Sequence, residues 1–208
     1  MGQLTLEGET PVFRPFRGQR SPEEKIQSKT RNDNIGIVSI GGLDKELINR
    51  IGDNISQTFN ARISITNTHF PPCSHYIQKE GQYPASAFIE YLKTIPNGCN
   101  KVLGITDTDL SYPGLNYVFG LSDPASQVSI ISITRFKGKN GLLSSRQKMI
   151  ERAIKTTIHE LGHTYGLSHC KDHRCVMFFS FNLLDTDYKG KDFCLKCNRE
   201  LHKVLNTV

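Results

Sequence analysis

The apolar residues change their period along the chain, and each change marks an element. Residues 1–34 hold no sustained period. Pro11, Pro15, Gly18 and Pro22 punctuate a polar stretch that reads as an extended arm, with room for a terminal strand near Gln3–Leu6. Ile35–Ile40 is a β-branched run ending in Gly41-Gly42, which predicts a buried strand and a turn. Asp44 or a neighbour then opens a helix to about Phe59, with Leu43, Leu47, Ile48, Ile51 and Ile55 on one face. Arg62–Thr66 alternates and reads as a strand. Thr68–Pro84 is rich in proline and reads as a loop. Ala85–Lys93 has helical spacing, Lys101–Thr106 is a strand, and Tyr117–Leu121 and Gln127–Phe136 are two more. After a turn at Gly138–Gly141, Ser144 or Ser145 starts a long helix. Strands alternating with helices predict an α/β lobe. From about residue 170 the pattern becomes irregular and cysteine-rich, closing with a helix near Asn198–Leu205.

Composition adds limits. With 208 residues, 37% of them hydrophobic, the chain can bury one good core. Its longest apolar runs, such as Val128–Ile133, are short and broken by Ser, far from the ~20 residues of a membrane span. Met1–Gly8 lacks a basic stretch followed by an apolar one, so no secretory signal is read there, and a reducing cytoplasm is the expected location. The formal charge is +6 and the pI about 9.0. Lys and Arg are dispersed, with one mild cluster from Arg135 to Lys155, and no DNA or RNA motif accompanies them. The charge reads as a solvated surface, and no nucleic-acid partner is expected. Nothing in the pattern fixes an oligomeric state.

The candidate chemistry lies in the long helix. Residues 159–169 read His-Glu-Leu-Gly-His-Thr-Tyr-Gly-Leu-Ser-His. His159 and His163 are one helical turn apart, so both rings project from one face and can share an ion. Glu160 is not expected to be a ligand; it can reach a metal-bound water and take its proton. Gly166 tolerates the positive φ that ends the helix, and the turned chain returns His169 as a third ligand. Three protein ligands leave a position for water, the catalytic zinc arrangement. Met149, Ile150, Ala153, Ile154, Thr157, Ile158 and Leu161 fill the other side, so the helix can bury them and still aim both rings at a cleft. An accidental match to the whole pattern has a chance on the order of one in 10⁵.

Cys170, Cys175, Cys194 and Cys197 form two close pairs. Their spacing suits a closed tetrahedral zinc, with disulfides or free thiols as the alternatives. His173 lies among them and could compete as a ligand, but reads as exposed, as does His202 on the last helix. His69, Cys73 and His75 fit no metal spacing and read as part of the Pro-rich loop.

The eleven-residue motif resembles that of the metzincin clan. Its continuation, Cys170-Lys-Asp-His-Arg-Cys175-Val-Met177 and then Cys194-Leu-Lys-Cys197, is similar to the archaemetzincins, as is the stretch Asp107–Gly120. The resemblance covers roughly residues 35–205, with a loop between Met177 and Cys194 slightly shorter than is usual in that family. It implies a single metzincin-like catalytic domain over 1–208, of mixed α/β class, in a two-lobed zincin fold. The upper lobe, about 1–169, would hold a twisted sheet and the active-site helix. The lower, about 170–208, would be small and Cys-rich, with Met177 as the Met-turn beneath the ligands. Some metzincins place a Tyr ligand two residues after this Met; Phe179 stands there, so none is expected. The resemblance implies a zinc metallopeptidase acting on a peptide or protein, with two Zn²⁺ per chain: one catalytic at the histidines and one structural at the cysteines. The extended substrate is expected against Val128–Phe136, the last strand before the motif helix. The rival is a zinc-binding interaction module without peptidase activity, which would have no need of Glu160.

Overall fold

The computed structural model describes residues 33–68, 81–95, 98–137 and 145–206. Its main sheet grows from the apolar runs. β1 (Asn34–Ile40) lies between β2 (Arg62–Thr68) and β4 (Lys101–Thr106), parallel to both. β8 (Val128–Ser132) pairs in parallel with β4, and β7 (Gly120–Asp123) closes the order β2-β1-β4-β8-β7 as an antiparallel edge. Alternate side chains of β1 enter different cores because strand side chains alternate in face. Ile35 and Ile37 join one cluster, and Val38 and Ile40 the other.

Helices cover both faces. On one, α1 (Lys45–Phe59) and α3 (Arg146–Thr164) pack together over Ile37, Leu103 and Ile131. On the other, α2 (Ala85–Lys93) buries Phe88, Ile89 and Leu92 against Val102 and Ile130. Asp44 caps α1 by accepting from Glu46 N–H at 2.9 Å. Ser145 caps α3, accepting from Lys148 N–H. α3 ends in a Schellman closure: Gly166 has φ 83°, its N–H donates to His163 O, and Leu167 N–H reaches back to Gly162 O at 3.0 Å.

A second sheet joins β3 (Gln82–Pro84) and β5 (Asp109–Tyr112), where the pattern predicted loop or no element, to β6 (Leu115–Val118), whose second half overlaps the expected strand Tyr117–Leu121. These strands are three or four residues long, too short to display a period. The expected strand Tyr117–Leu121 is split at Phe119 between β6 and β7. The expected strand to Phe136 stops at Ser132, and a 3₁₀ turn, Thr134–Lys137, follows. α4 (Leu183–Tyr188) was not expected. Asn182 and Asp185 build it through a capping box, without an apolar stripe. α5 (Leu195–Leu205) begins one turn before the expected start. The expected arm up to residue 32, the strand near Gln3–Leu6, the turn Gly138–Gly141, and His69, Cys73 and His75 lie outside the described residues, and Asn34 at the arm's end already belongs to β1.

The cysteine-rich segment is irregular, yet Cys175, Val176, Met177, Cys197, Leu201 and Leu205 share one core with β1, α1 and α3. Phe59 of α1 stacks on Tyr165 at 4.8 Å and meets Phe193 edge-on at 6.0 Å. Among the described residues, no helix is long and apolar enough to cross a membrane.

Candidate metal centre

His159, His163 and His169 converge as the spacing predicts, their ligand atoms within 4.8 Å of one another. The backbone fixes two of the rings. His159 Nδ1 meets Val176 O at 2.9 Å, and His163 Nδ1 meets Leu167 O at 2.7 Å. A carbonyl only accepts, so both Nδ1 atoms carry the proton and both Nε2 atoms present a lone pair. Those two Nε2 atoms face each other at 3.2 Å with no proton between them. Converging lone pairs call for a cation. Tetrahedral Zn–N bonds of about 2.0–2.1 Å would separate two nitrogens by about 3.4 Å, so the donor set fits zinc. Burial drives His159 well below its ordinary pKa, with the Lys189 ammonium adding to it, and burial also lowers His169. Both are therefore neutral, as metal ligands must be.

Glu160 is buried beside them. Ser122 of β7 donates to its Oε2 at 2.6 Å and approaches its backbone O at 2.8 Å. Burial raises the carboxyl's pKa, opposed by His163, Ser122 and Lys189. Gly120 leaves the space: a Cβ there would stand 2.7 Å from Glu160 Cγ.

Met177 packs under the site. Its Sδ would lie 2.5 Å from a Cβ at Gly162, so this helix position needs glycine for the approach. Cys170 N–H donates to Met177 O at 2.9 Å, tying the backbone beside His169 to the Met177 turn. Phe179 turns its ring edge-on to His169 at 4.9 Å. His173 is exposed and packs on Phe178, and His202 is exposed.

Cys170, Cys175, Cys194 and Cys197 form a second cluster with their sulfurs within 4.8 Å of one another, none in a disulfide. Cys170 Sγ and Cys194 Sγ are 3.8 Å apart, far beyond an S–S bond of about 2.05 Å. It equals the edge of a tetrahedron with Zn–S bonds of about 2.3 Å. Two backbone N–H groups already point at sulfur, Cys194 to Cys175 and Asp172 to Cys170. Burial pushes the Cys175 and Cys197 thiols up, while the backbone N–H of Cys197 lowers Cys194. As thiolates, four sulfurs this close would need a cation among them, and this set too fits zinc.

Three further residues reach the site without belonging to a motif. Ser122 and Gly120 come from β7. Lys189, 3% exposed, places Nζ 3.0 Å from Phe178 O and 3.4 Å from His159 Nδ1, and burial pulls its pKa down to about 8. Sequence spacing carried no signal for any of them. The expected substrate strand is corrected: β8 is paired on both sides, with β4 and β7, so its hydrogen-bonding edges are filled. Among the described residues, β7 is the strand beside Glu160 with pairing on one side only.

A mostly parallel twisted sheet with one antiparallel edge, a motif helix that offers two histidines and a glutamate, and a Met turn by a third histidine define a metallopeptidase of metzincin architecture. The model of Peptidase family M54 matches residues 37–203, and the chain belongs to that family. With that membership it is a zinc metallopeptidase. The archaemetzincin of Methanopyrus kandleri is 39% identical over 130 residues, 62% of this chain and 71% of that one. The crystal structure of archaemetzincin from the same organism matches with a TM-score of 0.76 at 30% identity, covering 86% of this chain and 98% of that one. A zinc-dependent peptidase from Methanocorpusculum labreanum matches with a TM-score of 0.73 at 26% identity, covering 80% of this chain and 99% of that one.

Proposed function

We propose that the chain acts as one catalytic domain that hydrolyses peptide bonds with Glu160 as general base, and that His159, His163 and His169 would hold the zinc that serves it. A second zinc, held by Cys170, Cys175, Cys194 and Cys197, is structural. When bound, the first ion supplies Lewis-acid polarisation of the carbonyl and a lower pKa for water. Val176 O and Leu167 O keep two imidazoles in the ligating tautomer. Ser122 orients Glu160, which takes a proton from the attacking water and hands it to the leaving amine. The substrate lies extended along β7, where an added strand finds free N–H and C=O groups. Four clustered cysteines with no disulfide among them fit a reducing compartment, the cytoplasm.

The observation that carries this reading is a buried carboxylate fixed by Ser122 beside three converging imidazoles. A zinc-binding interaction module would gain nothing from burying Glu160 there. The test compares wild type with Glu160→Gln at matched zinc content, on a peptide found by library screening. Cleavage should fall by at least about 10²-fold while metal content stays the same. Equal rates would overturn the mechanism.

A further inference from the structure

We propose that Lys189 and Ser180 form a carboxylate-recognition site, which makes the enzyme selective for a glutamate or aspartate on the leaving-amine side of the cleaved bond. This rests on the peptidase reading above. A cavity of about 90 Å³ opens beside His159, with Thr156, Glu160 and Phe179 in its wall and both Lys189 and Ser180 lining it. At about 10–15 Å³ for each water-sized group, it has room for about six such groups. A glutamate side chain, with five heavy atoms beyond Cα, fits that space.

Two polar groups in the cavity have hydrogen-bonding capacity to spare. Lys189 is 3% exposed, and an ammonium has three donors. Phe178 O accepts one of them at 3.0 Å. His159 Nδ1, at 3.4 Å, accepts none, because its own proton is committed to Val176 O. The Ser180 hydroxyl is buried with no hydrogen-bond partner among the described residues. Leaving such groups unpaired is costly, and a carboxylate offers an oxygen to each. Val118 and the buried Phe119 share the wall, so a paired carboxylate would sit against an apolar surface where its attraction to the ammonium is less screened than in water.

The side of the scissile bond follows from Glu160, which lines the same cavity. The amine that receives its proton must come within hydrogen-bond reach of it. The side chain of the residue carrying that amine then points into the adjoining space.

The test measures binding, so it does not depend on turnover. Two hydroxamates with one common backbone are titrated calorimetrically into the zinc-loaded full chain. They carry a carboxyethyl or a carboxamidoethyl side chain, which are alike in shape and differ in charge. Wild type should bind the acid at least about tenfold more tightly than the amide. In Lys189→Met the ratio should fall to within about threefold, with zinc content unchanged. Lys189→Gln serves the same purpose should the Met variant misfold. A lysine that only braced Phe178 O would weaken both probes equally and leave their ratio alone. Equal wild-type affinities, or a ratio that survives in the Lys189 variants, would overturn the proposal while leaving the peptidase reading intact. If neither probe binds zinc-loaded wild type, the peptidase reading falls, and this proposal with it.

Discussion

At the scale of single residues, the site depends on groups too small or too ordinary to stand out. A methyl group at Gly162 would meet Met177 Sδ at 2.5 Å. Gly162→Ala should therefore destabilise the fold by about 1–3 kcal/mol, the usual cost of overpacking, as read by denaturant unfolding. Ser122→Ala would leave Glu160 Oε2 without its 2.6 Å donor. Losing a hydrogen bond to a charged group is worth about 1.5–3 kcal/mol, so turnover should fall by about tenfold or more. Zinc content should not change, and an unaltered rate would remove Ser122 from the orienting role. The histidines and Glu160 were legible because one helix and its terminal turn fix their spacing in the sequence. Ser122 and Lys189 were not. Ser122 meets a partner 38 residues away, and a lysine in a polar segment reads as solvated until the fold closes over it.

At the scale of elements, α3 is held by contacts at several points along its length. Arg152, itself buried, makes paired 2.7 Å bonds to both Asp187 oxygens on α4 and a 2.8 Å bond to Phe136 O. Burial alone would raise the Asp187 carboxyl, but hydrogen bonds from Arg152 and Lys148 outweigh it and hold the carboxyl below its ordinary value. A depressed folded-state pKa contributes stability at neutral pH. That contribution is lost as pH falls below 3.8 toward the folded value. Asp187→Asn should cost about 3 kcal/mol, because it takes the paired carboxylate away from a buried guanidinium. The variant's unfolding free energy should also respond less to acid than wild type does in that range. An Asn variant as stable as wild type would show the pair to be dispensable. Long buried elements such as β1, α1 and α3 announced themselves by period. β5, β6 and α4 did not, since short pieces with exposed side chains, such as Leu184 at 77% and Tyr188 at 71%, show no apolar stripe.

At the scale of the molecule, the cysteine-rich segment and the sheet share one core, so a metal held by the four cysteines would link its supply to stability. Zinc-reconstituted chain should carry two zinc ions by elemental analysis. His163→Ala should lose one and keep the cysteine-bound ion. Cys197→Ser should lower the midpoint of thermal unfolding by at least about 5 °C. Loss of both metals in both variants would refute the separation of roles. Acid should act here as well. His159 titrates well below 6.5 when folded, so the unfolded chain binds the extra proton, and stability declines as pH drops beneath 6.5. The antiparallel edge strand carries one more consequence. A peptide that extends the sheet beside β7 turns only every second amide toward it. A series of peptides methylated at one backbone nitrogen at a time should thus show a two-residue rhythm, alternating between poor and nearly normal ligands. The side-chain preference of the cavity would be left unchanged throughout the series.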